Sequence, residues 1–209
     1  MTKQRLVKLG TGVTLNVALA GDPANPAVVL LHGFPESHRT WREVAPRVAE
    51  HFYLVMPDQR GFAGSDRPQD VDAYRTDILV DDIFALADAL DLKAFALVGH
   101  DWGGAIAWAA ALRGDPRLRR LAIINAPHPV IFQKSLIGSE DQRQASQYVT
   151  AFRTPGFERV VEAMGFADLA PYALRVSGGW GSTEEDWRRC GDVWIAAYEK
   201  VAARRREVA

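Results

Sequence analysis

The chain has 209 residues, with 25 Lys+Arg against 26 Asp+Glu for a net charge of −1, and it is 48% hydrophobic and 24% charged. This is the composition of a folded globular domain, and there is no global basic field to hold nucleic acid or an anionic membrane. The lone cysteine, Cys190, excludes an intramolecular disulfide and a cysteine-rich metal site. Residues 5–9 and 13–19 read as two strands around the Gly10-Thr11-Gly12 turn. Ala27–Leu31 is a continuous apolar run, the pattern of a strand buried on both faces. Residues 40–50 have helical spacing, with Trp41, Val44 and Val48 on one side. Residues 53–56 form another buried strand, ended by Pro57-Asp58. Residues 76–90 predict an amphipathic helix with Ile83, Leu86 and Leu90 in its apolar stripe. A strand over 94–98, an alanine-rich helix over 102–112 and a strand over 121–124 complete the series.

Buried strands separated by helices imply an α/β fold with a mostly parallel sheet, helices on both faces and right-handed crossovers. Beyond Pro129 the pattern is helical, with candidate segments at 141–152, 156–164, 169–176 and 183–206. The expected division is an α/β core over 1–127 and a helical region over 128–209. No apolar signal core follows Met1, and no run approaches the roughly 20 residues needed to span a bilayer, so a cytoplasmic protein is expected. The Arg204-Arg205-Arg206 run reads as a solvated helix end. Trp180, Trp187 and Trp194, seven residues apart, read as a core stripe.

In open α/β sheets, ligands sit beyond the C-terminal ends of the strands. Three loops there carry unusual residues: His32-Gly33-Phe34-Pro35-Glu36-Ser37, Asp58-Gln59-Arg60-Gly61-Phe62-Ala63-Gly64-Ser65 and Gly99-His100-Asp101-Trp102-Gly103-Gly104. In the third, glycines stand two before and two after Asp101, between a buried strand and a helix. That is the spacing of a nucleophile elbow, which pushes the central side chain out over the sheet. A carboxylate there attacks carbon without a base to activate it. Taken alone, Asp101 also reads as the cap of an ordinary strand–helix turn.

His-Gly-Phe-Pro-Glu-Ser and Gly-His-Asp-Trp-Gly-Gly together resemble the epoxide hydrolases of the α/β-hydrolase fold, and the Asp-Gln-Arg-Gly-Phe-Ala-Gly-Ser loop is similar to that family's intervening loop. The resemblance extends into a helical cap, where Tyr148 stands ahead of Phe152-Arg153-Thr154-Pro155-Gly156. It implies that Asp101 is the nucleophile opening an epoxide to an alkyl ester. The backbone N–H groups of Phe34 and Trp102 would form the oxyanion hole. Pro35 would be cis, and His32, Pro35 and His100 would line the substrate pocket. Tyr148 would donate a hydrogen bond to the epoxide oxygen; its ordinary pKa of about 10 keeps it protonated. His32 and His100 would also hydrogen-bond within their glycine turns, while His38, His51 and His128 read as surface or loop residues. The expected partner is a small apolar epoxide, with no cofactor and no metal; a homodimer is left open.

The family's second step uses a histidine base held by an acid, both C-terminal to the cap. No histidine follows His128 in these 209 residues, and Tyr198 matches the family's second cap tyrosine poorly. The expectation is therefore a fragment, a truncated product or a frameshifted reading, with C-terminal strands missing and hydrolysis of the ester impaired. Two alternatives compete. A haloalkane or haloacid dehalogenase would share the aspartate, but Phe34 replaces the asparagine that commonly holds halide, and Trp102 stands where a haloacid enzyme carries arginine. The other alternative is a non-catalytic chain that binds a small apolar ligand. Asp101 excludes a serine esterase.

Overall fold

The computed structural model describes residues 2–147 of the 209. Six strands are laid down in chain order: β1 (Lys3–Lys8), β2 (Thr14–Ala20), β3 (Ala27–Leu31), β4 (Tyr53–Pro57), β5 (Phe95–His100) and β6 (Leu118–Ile124). They form one sheet in the order β1-β2-β4-β3-β5-β6. β1 and β2 are an antiparallel pair, and β2 meets β4 antiparallel. β4, β3, β5 and β6 run parallel to their neighbours. Among the described residues the helices are α1 (Ala45–Val48), α2 (Thr76–Ala89), α3 (Trp102–Arg113), α4 (Pro129–Gly138) and α5 (Glu140–Ala145).

The central strands are apolar along their whole length because both faces are covered. On one face Val29, Leu31, Val55 and Leu97 pack with Ile83, Leu86 and Ala87 of α2 and with Ile106, Ala107 and Ala110 of α3. On the other, Val28, Leu30, Leu54, Met56 and Val98 pack with Trp41, Ala45 and Val48. Neighbouring side chains of β3 and β5 thus point into two separate cores, as a period of two requires.

The helix expected over 40–50 is a 3-10 turn, His38–Trp41, followed by the single turn of α1. Pro46 explains the break. It fits the first turn of α1, but inside a longer helix its ring would remove a hydrogen bond and clash with a carbonyl one turn back. α4 begins earlier than any helical segment expected beyond Pro129. Its start has a physical signature: His128 accepts from Val130 N and Pro129 occupies the first turn. Neither α4 nor α5 buries a residue fully.

β3 leads to β4 on one side, whereas β5 leads to β6 on the other. The sheet therefore reverses its winding between β3 and β5, and the loops leaving these two strands part there. Such a switch point is the usual place for a ligand crevice.

Candidate active site

At the end of β5 the chain turns through Asp101, with φ 52° and ψ −120°, straight into α3. A non-glycine residue in that region stores roughly 1–3 kcal/mol of strain, held by its surroundings. Asp101 N donates to Ile124 O at 3.0 Å, and Asp101 O accepts from Ala105 N at 3.1 Å, so β6 and α3 clamp the residue from both sides. The flanking glycines are required by contact. A Cβ on Gly99 would lie 2.4 Å from Gly103 O, and one on Gly103 would lie 2.4 Å from His32 O.

The Asp101 carboxylate projects at the N-terminus of α3 toward the loop after β3. Its Oδ1 accepts from Phe34 N at 2.9 Å. Burial pushes its pKa up to about 6, while the Phe34 and Trp102 amides and His100 pull it down and Glu36 pushes it up. Gly33 passes so close that a Cβ there would sit 2.7 Å from Asp101 Cβ. The two amides expected to form an oxyanion hole are thus both turned on this carboxylate.

The loop after β3 is braced from several directions. Its Phe34–Pro35 bond is cis. Glu36 Oε2 accepts from Gly33 N at 2.9 Å and stands 3.2 Å from His100 Nδ1, bridging the two halves of the site. Burial alone would raise the Glu36 pKa, but His100 and the Gly33 amide outweigh it and hold the carboxyl below its ordinary value. His32 Nε2 accepts from Gln59 N at 3.0 Å, its Nδ1 lies 2.8 Å from Gly33 O, and Gln59 Nε2 donates to His32 O at 2.6 Å. Phe62 packs edge-on against both His32 and Phe34. Gln59 and Phe62 belong to the loop after β4, which Arg60 ties to α2 through a buried two-point ion pair with Asp82, each bond 2.7 Å.

Asp101, Phe34, Trp102 and Pro35 come together at the switch point. His32 and His100 are fully buried. Both nitrogens of His32 face backbone, and His100 faces Glu36, so these rings brace the loops. Trp102 keeps 44% of its surface exposed. His38 differs from its expected surface setting: Asp58 Oδ1 accepts from its backbone N and pairs with its Nδ1, both at 2.8 Å. Asp58 is buried, which favours a higher pKa, but bonds from Asn16 and His38 hold it below its ordinary value. His128 caps α4 and stacks edge-on against Trp108 at 4.7 Å. Tyr148, Tyr198, Cys190, the three spaced tryptophans and the terminal arginine run lie outside the described residues. Sequence reasoning missed Glu36, Gln59 and the Asp58–His38 pair. The spacing of Glu36, three residues after an amide it accepts from, is the reach of a capping box and was the available signal. Among the described residues no cluster of three or more His, Cys, Asp or Glu is placed to hold a metal, and no helix is long and apolar enough to cross a membrane.

Residues 26–177 match the family model described as alpha/beta hydrolase fold. The chain belongs to the alpha/beta hydrolase fold family. Within it, the AB hydrolase superfamily protein YfhM of Bacillus subtilis (strain 168) is 35% identical over 205 residues, covering 90% of this chain and 71% of that protein. Epoxide hydrolase 3 of Xenopus tropicalis is 37% identical over 145 residues, 69% of this chain and 40% of that one. A solved structure described among novel epoxide hydrolases of the alpha/beta hydrolases superfamily, from metagenomes of hot environments, superposes with a TM-score of 0.79 at 42% identity. That match covers 93% of this chain and 65% of the other. The chain thus spans about two thirds or more of two alpha/beta hydrolase relatives and 40% of the Xenopus enzyme.

Proposed function

We propose that this alpha/beta hydrolase chain opens a small apolar epoxide by attack of Asp101, forming an alkyl-enzyme ester. The observation that carries the reading is a carboxylate on a strained strand–helix turn, with the Phe34 amide at 2.9 Å on one of its oxygens. With Oδ1 held, Oδ2 is the attacking atom. Its lone pair forms the new C–O bond, the epoxide C–O bond breaks, and the electron pair goes to the epoxide oxygen. Tyr148 gives that oxygen its hydroxyl proton and recovers one from water. Tyr148 takes this role by its register to Arg153-Thr154-Pro155-Gly156, with residues 128–209 as a cap over the core formed by 1–127.

Hydrolysis of the ester would proceed by attack of water on the Asp101 carboxyl carbon, with the resulting oxyanion in the hole made by the Phe34 and Trp102 amides. One such donor is worth about 3 kcal/mol. General-base catalysis of water attack contributes roughly 10²–10⁴-fold. Opening of the epoxide needs no such base, so the ester is the species that Asp101 forms first. Relatives named as epoxide hydrolases support an epoxide as the substrate class.

Incubating the 209-residue protein with a styrene-type epoxide should add the epoxide's full mass once per chain, and Asp101→Asn should abolish the adduct. Attack needs the ionised carboxylate, so ester formation should fall as pH drops through about 6. An adduct that persists in Asp101→Asn, or the absence of both adduct and diol, would overturn the reaction.

A further inference from the structure

We infer that His32 is a positioning residue, whose Nδ1–H sets the direction of the Phe34 amide through the single peptide unit they share. The inference rests on the reading of Phe34 N–H as a donor to the reacting carboxylate. Gly33 C=O and Phe34 N–H are the two ends of one planar trans peptide and point in opposite directions. At one end Gly33 O lies 2.8 Å from His32 Nδ1; at the other Phe34 N lies 2.9 Å from Asp101 Oδ1. Rotating this unit to aim the N–H elsewhere would have to break both bonds, together with the one that Gly33 O accepts from Glu36 N at 3.1 Å.

The tautomer of His32 is dictated by its other neighbour. Gln59 N is a backbone donor aimed at Nε2 at 3.0 Å. A proton on Nε2 would place two N–H groups head to head, so Nε2 is the acceptor and Nδ1 carries the hydrogen. The sequence of bonds therefore runs from Gln59 N–H through the imidazole to Gly33 C=O, and from Phe34 N–H to Asp101. An imidazolium would break it at Gln59. Burial holds the His32 pKa below its ordinary 6.5, against the pull of the Gly33 carbonyl, Asp58 and Glu36 and with the push of His38, which keeps the ring neutral. The ring is also fixed in plane by Phe62, edge-on at 5.0 Å, and Gln59 Nε2 holds the His32 carbonyl at 2.6 Å. The loop after β4, which touches no reacting atom in this arrangement, thereby sets the aim of a donor on the loop after β3.

Nitrogen-15 correlation spectra of the wild-type 209-residue protein test the tautomer directly. The His32 ring should carry its proton on Nδ1. His32→Gln places a group only at the Nε2 end, whereas His32→Asn retains a donor at the Nδ1 end. The titration midpoint of Asp101, followed by carboxyl carbon-13 signals assigned with Asp101→Asn, should rise by about one pH unit in His32→Gln, because a hydrogen bond to the ionised form is lost. Ester formation with the styrene-type epoxide should slow about tenfold in His32→Gln, and His32→Asn should lie between it and wild type. A proton on Nε2, or an unmoved Asp101 midpoint in His32→Gln, overturns the inference. If wild type forms no ester, the proposed reaction fails alone, and the tautomer and midpoint still decide the role of His32. If His32→Gln does not fold, the wild-type tautomer decides it.

Discussion

In the turns that carry Phe34 and Asp101, a methyl group added to Gly33, Gly99 or Gly103 would meet another atom at 2.7, 2.4 and 2.4 Å respectively. In α4, one added to Gly138 would meet nothing within 4 Å. The first region is locked by contact between backbones, with Leu31, His32, Gly99 and Gly103 pressed together at the switch point. The second leaves Val130, Ile131 and Ile137 more than half exposed and buries no residue fully. The difference teaches where the geometry of the nucleophile resides. Among the described residues, the hydrogen bonds and close approaches that fix Asp101 come from β3, β5, β6, α3 and their loops.

The largest effect should come from filling the tightest contact. In Gly103→Ala the new Cβ would overlap His32 O at 2.4 Å and Leu31 O at 2.7 Å. Both are backbone atoms of a central strand and its loop, so neither yields as a flexible side chain would. The expected cost is about 4 kcal/mol or more, in the exceptional class of single substitutions. Urea unfolding would measure it. A loss below about 1 kcal/mol would mean that the floor adapts and the contrast with α4 is weaker than drawn.

Asp101→Asn should act in the opposite direction, with a pH dependence that identifies its cause. The folded midpoint near 6 lies above the ordinary 3.8, so the native state holds this proton more tightly than the unfolded chain does. Stability is therefore fully present below pH 4 and is lost as pH rises through 6. Asparagine removes that loss. The variant should be more stable than wild type at pH 7.5, by about 3 kcal/mol at most, and equal to it below pH 4. Thermal unfolding at both pH values checks this. A gain that does not vary with pH would point to relief of backbone strain instead of relief of a buried charge.

The sequence made much of this frame legible, for reasons that differ by element. β3, β4 and most of β5 are apolar runs because both faces are covered, and such runs stand out without any partner being known. The Asp101 turn was legible because the glycines that its close contacts require stand at fixed places, two before and two after Asp101. The 3-10 turn and α1 were misread as one helix because Trp41, Val44 and Val48 keep helical spacing across Pro46, and periodicity carries no information about a missing N–H. β6 begins at Leu118, earlier than expected, because an outer strand of the described sheet tolerates the exposed Arg119 and Arg120. The setting of His38 was invisible because Asp58 lies twenty residues away and the pair forms only when β4 lies beside β3. The same holds for Glu36 and His100, sixty-four residues apart.

Ala63 offers a smaller test on the side of the site. It lies in the loop after β4 with φ 41°, a conformation that suits glycine. Relief of the Cβ conflict in Ala63→Gly is worth about 1–2 kcal/mol. Glycine's extra freedom in the unfolded chain takes back roughly 0.5–1 kcal/mol. A net gain of about 0.5–1 kcal/mol is expected in urea unfolding. A net loss would show that the loop holds this alanine without strain.

Gly138→Ala sharpens the comparison from the other end and should have the smallest effect. Gly138 is the last residue of α4, and its φ is not in the left-handed region. Alanine can therefore adopt the same backbone without strain, and the space for its methyl group is open. In a helix interior the exchange would contribute about 1 kcal/mol. At the final position, where the helix frays and the next residue, Ser139, is already extended, less than half of that should remain, about 0.3–0.5 kcal/mol. The sign is the point. The same glycine-to-alanine change should stabilise α4 slightly and break the floor of the site at Gly103. Circular dichroism and urea unfolding of both variants, made side by side, would measure the two responses. A Gly138→Ala loss as large as that of Gly103→Ala would mean that α4 is packed as tightly as the turn carrying Asp101, and that the contrast between the regions does not exist in solution.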